Sequence, residues 1–142
     1  MQPALFDSSI YISSLRHGDD SSLALRRLAS DAPLWLSAVV LEELYARASD
    51  RDRRVVERLE RDFDRARRIL VPSLSDWTQA GRVLVRLATK YHYEQIGQGR
   101  LTNDAPIAVC AGHLGIRVIT ANERDFNKLV ESHTFQWQVT TF

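Results

Sequence analysis

The sequence is poor in cysteine, in lysine and in long apolar segments. Its one cysteine, Cys110, excludes a disulfide within the chain, and a free thiol fits a reducing compartment. No segment approaches the roughly 18 consecutive apolar residues of a membrane-spanning helix. The N-terminal residues Met-Gln-Pro-Ala-Leu-Phe-Asp contain neither a basic leader nor an apolar segment. We therefore expect a cytoplasmic protein without a membrane partner.

The sequence also gives little indication of a zinc site or of a catalytic thiol. The four histidines do not have the spacing of a zinc site. Cys110 lies in an apolar helical pattern, which favours a buried, inert thiol over a catalytic one.

What the chain does contain is typical of one globular domain, which we place at residues 1–142. Its hydrophobic fraction is 44% and its charged fraction 26%. The net charge of +1 does not by itself indicate a nucleic-acid-binding protein. Only Lys90 and Lys128 are lysines among the 19 basic residues, so arginine supplies almost all the positive charge. Arginine suits phosphate contacts, although a codon preference for arginine explains the bias equally well.

Short apolar runs alternate with helical patterns along the chain. Strands are predicted at residues 4–6, 34–36, 69–71 and 117–120, with an edge-like strand at 135–140. Helical patterns cover residues 8–17, 19–29, 38–48, 75–93, 103–111 and 122–130. This alternation predicts an α/β fold, a three-layer sandwich with a mostly parallel central sheet of four to five strands.

The segment from Arg47 to Arg68 holds nine arginines interleaved with six acidic residues. Three acids stand four residues before an arginine: Asp50 and Arg54, Glu57 and Arg61, Asp64 and Arg68. This order is typical of a solvated helix with ion pairs on its surface. An arm that faces RNA is the alternative interpretation.

Asp104 is a carboxylate at a position where an apolar residue is expected. If a helix begins near Asn103, then Asp104 shares the buried face with Ile107 and Ala108. A buried, ionised carboxylate costs several kcal/mol, roughly, unless a charge or hydrogen bonds meet it. Pro106 limits the helix start to this neighbourhood, so Asp104 also fits an N-cap. Both interpretations stay open at this point.

Further acids follow the ends of predicted strands or open helices. Asp7 follows the first strand, Asn122 and Asp125 follow the fourth, and Glu42 and Glu43 lie early in a helix. Helix geometry alone does not tell which of the two glutamates faces a site. Carboxylates crowded at one sheet edge must be protonated or held by cations, and Mg²⁺ or Mn²⁺ prefers such oxygen ligands. In acidic clusters these ions usually catalyse reactions at phosphodiester bonds.

Four segments also resemble the motifs of a known family. They are residues 6–12 (Phe-Asp-Ser-Ser-Ile-Tyr-Ile), 37–44 (Ser-Ala-Val-Val-Leu-Glu-Glu-Leu), 103–108 (Asn-Asp-Ala-Pro-Ile-Ala) and 120–126 (Thr-Ala-Asn-Glu-Arg-Asp-Phe). In this order and spacing they resemble the motifs of PIN-domain nucleases, specifically of the VapC-type toxins of bacterial toxin–antitoxin pairs.

The resemblance implies the roles of particular residues. The implied metal ligands are Asp7, Glu43 rather than Glu42, Asp104 and Asp125. Asn122 is implied at the site, where it would orient water or a ligand. Because residue 122 is not an aspartate here, the fourth carboxylate must be Asp125.

The resemblance also implies an activity and partners. The implied activity is that of a Mg²⁺- or Mn²⁺-dependent endoribonuclease, which acts on RNA and is usually a homodimer. The implied partner is a small antitoxin whose C-terminal segment wraps the toxin. The main alternative is a non-catalytic PIN-like domain that binds RNA or a partner. Taken singly, Asp7 fits a helix cap and Asp125 a first-turn acid.

Overall fold

All five strands of the sheet run in the same direction. The computed structural model describes residues 2–17, 32–92 and 101–140. Its strands are β1 (Ala4–Phe6), β2 (Leu34–Ser37), β3 (Ile69–Leu70), β4 (Arg117–Thr120) and β5 (Trp137–Val139). Its helices are α1 (Ser8–His17), α2 (Ala38–Arg47), α3 (Asp50–Arg65), α4 (Leu74–Tyr91), α5 (Leu101–Leu114) and α6 (Glu123–Ser132). The helix predicted at residues 19–29 lies outside the described residues.

The strand order is β3-β2-β1-β4-β5, with every neighbouring pair parallel. The chain builds outward from β1 to β3 on one side, then returns to place β4 on the other side of β1. The carboxyl ends of β1 and β4 therefore meet at the point where the strand order reverses, which is where open α/β sheets form their binding sites. The predicted α/β fold with a parallel sheet is confirmed.

The central strand β1 is apolar along its whole length because both of its faces are covered. Ala4, Leu5 and Phe6 are almost completely buried. Strands of parallel sheets have continuous apolar runs for this reason. The last strand is shorter than predicted and comprises Trp137–Val139 rather than residues 135–140.

Two helix starts illustrate how the sequence sets the element boundaries. The hydroxyl of Ser37 accepts the backbone N–H of Val39 at 3.2 Å and thereby caps the start of α2. Helix α4 begins at Leu74, one residue before the predicted start at residue 75, and Ser73 is its N-cap. Ser73 and Asp76 each accept the other's backbone N–H, a reciprocal pair that satisfies two donors at once.

Helix α5 includes Leu101 and Thr102, two residues before the predicted start at Asn103. Pro106 consequently lies inside the helix, where it removes one backbone donor. Asp104 is therefore within the first turn and is not the N-cap.

The helices pack into two groups that meet through α2 and α5. Helices α4, α5 and α6 contact one another, while α2 contacts α1, α3 and α5. The core between the helices and the sheet contains large, fully buried side chains such as Phe6, Ile10, Leu44 and Phe126. Over the described residues, none of the helices combines the length and the apolar character needed to cross a bilayer.

Candidate active site

Asp7 directly follows β1 and precedes α1, and its side chain is only 1% exposed. One carboxylate oxygen, Oδ1, accepts the backbone N–H of Ser9 at 3.1 Å and the Ser9 hydroxyl at 2.5 Å. The other, Oδ2, accepts the Thr120 hydroxyl at 2.5 Å. Asp7 thus caps the start of α1, as one interpretation of the sequence held, and is also tied to the end of β4.

The electrostatic environment of Asp7 disfavours its charge. Burial raises the pKa of Asp7 above its ordinary value, although the hydrogen bonds from Ser9, Thr120 and the backbone of Ile10 act in the opposite direction. A carboxylate in this position gains from a nearby cation, because the cation would favour the charged form.

Thr120 connects Asp7 to the turn between β4 and α6. Its fully buried hydroxyl donates to Asp7 and accepts the backbone N–H of Asn122 at 2.9 Å. Beside it, the Ser9 hydroxyl accepts the backbone N–H of Ala121 at 3.0 Å. These bonds fix the β4–α6 turn against the end of β1.

Asn122 and Asp125 form a reciprocal pair at the start of α6. The Asn122 side-chain oxygen accepts the backbone N–H of Asp125 at 3.3 Å, and its amide nitrogen donates to Asp125 Oδ2 at 2.7 Å. Both side chains are half-buried. The pair therefore caps α6, and this contact also fixes the direction of the Asp125 carboxylate.

Glu43 lies on the inner face of α2, whereas its neighbour Glu42 is exposed. Glu43 is 7% exposed, and its Oε2 atom accepts the hydroxyl of Ser8 at 3.2 Å. Ser8 immediately follows Asp7 in the chain. The structure thus distinguishes the two glutamates, which the sequence alone left open, and brings Glu43 next to the start of α1.

Asp104 is buried on α5, with 1% of its surface exposed. Helix α5 packs against α2, which carries Glu43, and against β4 and α6. The residues around Asp104 in α5, including Leu101 and Ala105, are buried as well. The sequence correctly predicted that this carboxylate would lie on a buried helix face.

The fit to a metal ion can be judged from the donor atoms. Asp7, Glu43 and Asp104 supply buried carboxylate oxygens, the donors that Mg²⁺ and Mn²⁺ prefer. Across residues 2–17, 32–92 and 101–140, however, no three side chains of His, Cys, Asp or Glu stand close enough to hold one ion. The residues fit a hard divalent cation in chemistry and burial, while their side chains do not form a closed ligand set.

The profile of the PIN domain family matches residues 4–131, nearly the whole chain. The chain belongs to the PIN-domain family.

Solved structures similar to this PIN domain are titled as VapBC complexes. They include DNA-bound VapBC from Salmonella typhimurium, with 21% identity, 98% of each chain covered and a TM-score of 0.68. VapBC2 from Rickettsia felis, bound to a DNA fragment from its promoter, is 20% identical. The match covers 99% of the present chain and 100% of the Rickettsia chain, with a TM-score of 0.68. VapBC-1 from nontypeable Haemophilus influenzae has 21% identity, covers 97% of this chain and 98% of that chain, and gives 0.64. At these identities the likeness establishes a shared fold, and no curated protein sequence matches the chain.

Three hydroxyl side chains of this PIN domain were not among the site residues predicted from the sequence. Ser8 contacts Glu43, Ser9 contacts Asp7, and Thr120 contacts Asp7 as well. A signal was present, because Ser8 is adjacent to Asp7, Ser9 lies two residues from Asp7, and Thr120 lies two residues from Asn122. Sequence alone does not reveal which carboxylate each hydroxyl meets, since the partners come from different elements.

Proposed function

We propose that this PIN domain is a Mg²⁺- or Mn²⁺-dependent endoribonuclease. The observation that carries the proposal is the burial of three carboxylates, Asp7, Glu43 and Asp104, on elements that meet at the strand-order reversal. A stable fold gains nothing from several desolvated acids, so their presence there favours a functional role. Membership of the PIN family and the VapC-like fold support a nuclease.

In the proposed reaction the protein's own groups hold the carboxylates in place. Thr120 and Ser9 orient the Asp7 carboxylate, and Ser8 orients that of Glu43. Asp7, Glu43, Asp104 and Asp125 would hold the divalent cation, which would supply a lower pKa for the attacking water and charge neutralisation at the scissile phosphate. Asn122 fixes the direction of Asp125 and is available to orient water. Water then adds to phosphorus in line with the leaving 3′-oxygen, and the products carry a 5′-phosphate and a 3′-hydroxyl.

The neighbouring glutamates offer a matched test of this proposal. Glu43→Gln should lower the rate of RNA cleavage in Mn²⁺ by more than about a hundredfold, on the scale of removing a key charge-stabilising group. Glu42→Gln removes the same charge from the exposed face of the same helix, so its rate should stay within about twofold of wild type. Cleavage of an RNA panel, with products resolved on denaturing gels, measures both.

Three results would contradict the proposal. Full cleavage in EDTA would exclude a metal-dependent reaction. Equal rates for Glu43→Gln and wild type would remove Glu43 from the site. RNA binding without cleavage in Mg²⁺ and in Mn²⁺ would favour the non-catalytic PIN-like domain.

We further propose that the protein is the toxin of a toxin–antitoxin pair, acts in the cytoplasm as a homodimer, and inhibits translation or growth until a small antitoxin binds it. The support is the VapC-like fold, since the similar solved structures are titled as VapBC complexes. Expression of the protein alone should arrest bacterial growth, and co-expression of a short protein encoded beside it should restore growth. Harmless expression of an enzyme that cleaves RNA in vitro would instead favour a housekeeping nuclease.

A further inference from the structure

Five arginines form a stripe along the outward face of α3, and we call it the arginine stripe. Its members are Arg51, Arg54, Arg58, Arg61 and Arg65, all of them exposed. Their spacing of i, i+3, i+7, i+10 and i+14 places them on one side of the helix. The opposite side carries Val56, Leu59 and Phe63, which pack toward the core.

The stripe gathers five of the six arginines of α3 on one side, although the helix carries six acids as well and the exposed Asp62 lies beside Arg58 and Arg65. The helix is solvated, as its charge pattern predicts, and among the described residues none of the three i,i+4 pairs lies within ion-pair distance. Asp50 instead contacts Arg53 at 3.5 Å, off the stripe, and Asp52 contacts Arg51 at 3.5 Å. The remaining four guanidinium groups of the stripe make no ion pair with any described residue.

We infer that the arginine stripe binds the phosphate backbone of single-stranded RNA. At 1.5 Å per residue the stripe extends for about 21 Å, long enough to contact several consecutive phosphates. Guanidinium groups bind phosphate oxygens through two parallel hydrogen bonds. The inference rests on the proposed function, because it names the surface that holds the substrate.

The composition of the stripe favours RNA over a protein partner. A helix that docks in a protein groove needs buried apolar or aromatic anchors. The five positions of the stripe offer none, since all are arginines. Phosphate binding needs no such anchor, because counterion release supplies most of the binding free energy.

The position of α3 also suits a substrate-holding role. Helix α3 packs against α2, and the Tyr45 hydroxyl on α2 donates to the Glu60 carboxylate on α3 at 2.6 Å. Tyr45 follows Glu43 by two residues. The stripe is therefore carried by a helix fixed directly to the one that bears a candidate catalytic acid.

The test is RNA binding without cleavage. We would titrate each protein, in EDTA, into a fluorescein-labelled single-stranded oligouridylate and record anisotropy at several salt concentrations. The stripe variant is Arg54→Gln/Arg58→Gln/Arg61→Gln. The control, Arg16→Gln/Arg53→Gln/Arg82→Gln, removes the same charge from exposed positions off the stripe.

We expect the stripe variant to lose about tenfold in affinity or more. Its slope of log K against log salt should become shallower by about two, since each phosphate contact with a single strand contributes about −0.7. The control should keep the wild-type slope. Arg54→Lys/Arg58→Lys/Arg61→Lys retains the charge and should keep the slope even if the glutamine variant folds poorly.

An unchanged slope in a folded stripe variant overturns the inference. So does a stripe-dependent affinity for poly-L-glutamate combined with stripe-independent affinity for RNA, which would assign the surface to an acidic protein segment. The proposed function fails separately. Stripe-dependent RNA binding without cleavage in Mn²⁺ would refute the nuclease and leave the RNA-binding surface intact.

Discussion

Two buried aspartates, Asp76 and Asp7, stand at helix starts in this molecule, and their environments act on them in opposite ways. Asp76 is 6% exposed and Asp7 is 1% exposed. Burial raises the pKa of both, but at Asp76 it is outweighed by the hydrogen bonds of Ser73 and Cys110 and by the charge of His113, so that its pKa is lowered. At Asp7 burial prevails, and its pKa is raised.

The comparison shows that the charged form of Asp76 stabilises the fold, whereas the charged form of Asp7 does not. Asp76 accepts the Ser73 backbone N–H at 2.9 Å and joins α4 to Cys110 and His113 of α5. In return, burial and the charge of Asp76 raise the pKa of the Cys110 thiol to about 11, which makes it unreactive. Asp7 lies deeper in the protein, and its hydrogen bonds do not offset the desolvation of its charged form. A carboxylate maintained under those conditions is better explained by function than by stability.

The largest expected difference between the two aspartates is in catalysis. Asp7→Asn should reduce RNA cleavage in Mn²⁺ by more than about a hundredfold, because it removes a candidate metal ligand. Asp76→Asn should leave the rate within about threefold, since Asp76 belongs to the α4 cap. Initial rates on one RNA substrate measure both, and comparable losses would mean that the contrast between the two residues has no functional meaning.

The next effect is on stabilisation by metal. Saturating Mn²⁺, at about a hundredfold above its Kd, should stabilise the wild type by about 2.7 kcal/mol, since the ion binds the folded state. Asp76→Asn should show the same rise in Tm. Asp7→Asn and Asp104→Asn should show less than about half of it. Melting curves with and without Mn²⁺ decide this, and an equal rise in all four proteins would exclude Asp7 and Asp104 as ligands.

A smaller effect, of opposite sign at the two positions, is expected in EDTA. Asp76→Asn should destabilise the protein by about 1 kcal/mol, the usual cost of a lost cap. Asp7→Asn should stabilise it by a similar amount, because it removes a desolvated charge. For a domain of this size each change corresponds to a few degrees in Tm. A lower Tm for Asp7→Asn would mean that Asp7 acts chiefly as the cap of α1.

The smallest effect concerns pH. Because the pKa of folded Asp76 is below its ordinary value of 3.8, its stabilising contribution is complete above that value and is lost as the pH falls through the folded pKa. The difference in unfolding free energy between wild type and Asp76→Asn should be fully present at about pH 5 and should shrink below about pH 4. Urea unfolding at each pH measures it. A difference that persists at low pH would have a cause other than the charge of Asp76.

Much of this architecture could be predicted from the sequence because local patterns determine it. Strands β1 and β4 occur where their apolar runs predicted them, and Ser37 caps α2 as its position indicated. The strand order and the hydroxyl contacts of the site depend on the tertiary structure. Local patterns therefore provide no basis for pairing Ser8 with Glu43, 35 positions away, and the choice of Glu43 over Glu42 came from the family resemblance and not from helix geometry.

The pairing of β1 with β4 has a consequence for the synthesis of the protein. The Thr120 hydroxyl bonds Asp7 across 113 positions of the chain, and β1 has one open edge until β4 arrives. Contacts of such long range form late, both in refolding and during translation. A ribosome that has made only the first hundred residues holds a chain without Thr120, Asn122 and Asp125. A truncated product that ends before Thr120 therefore lacks a complete set of candidate ligands.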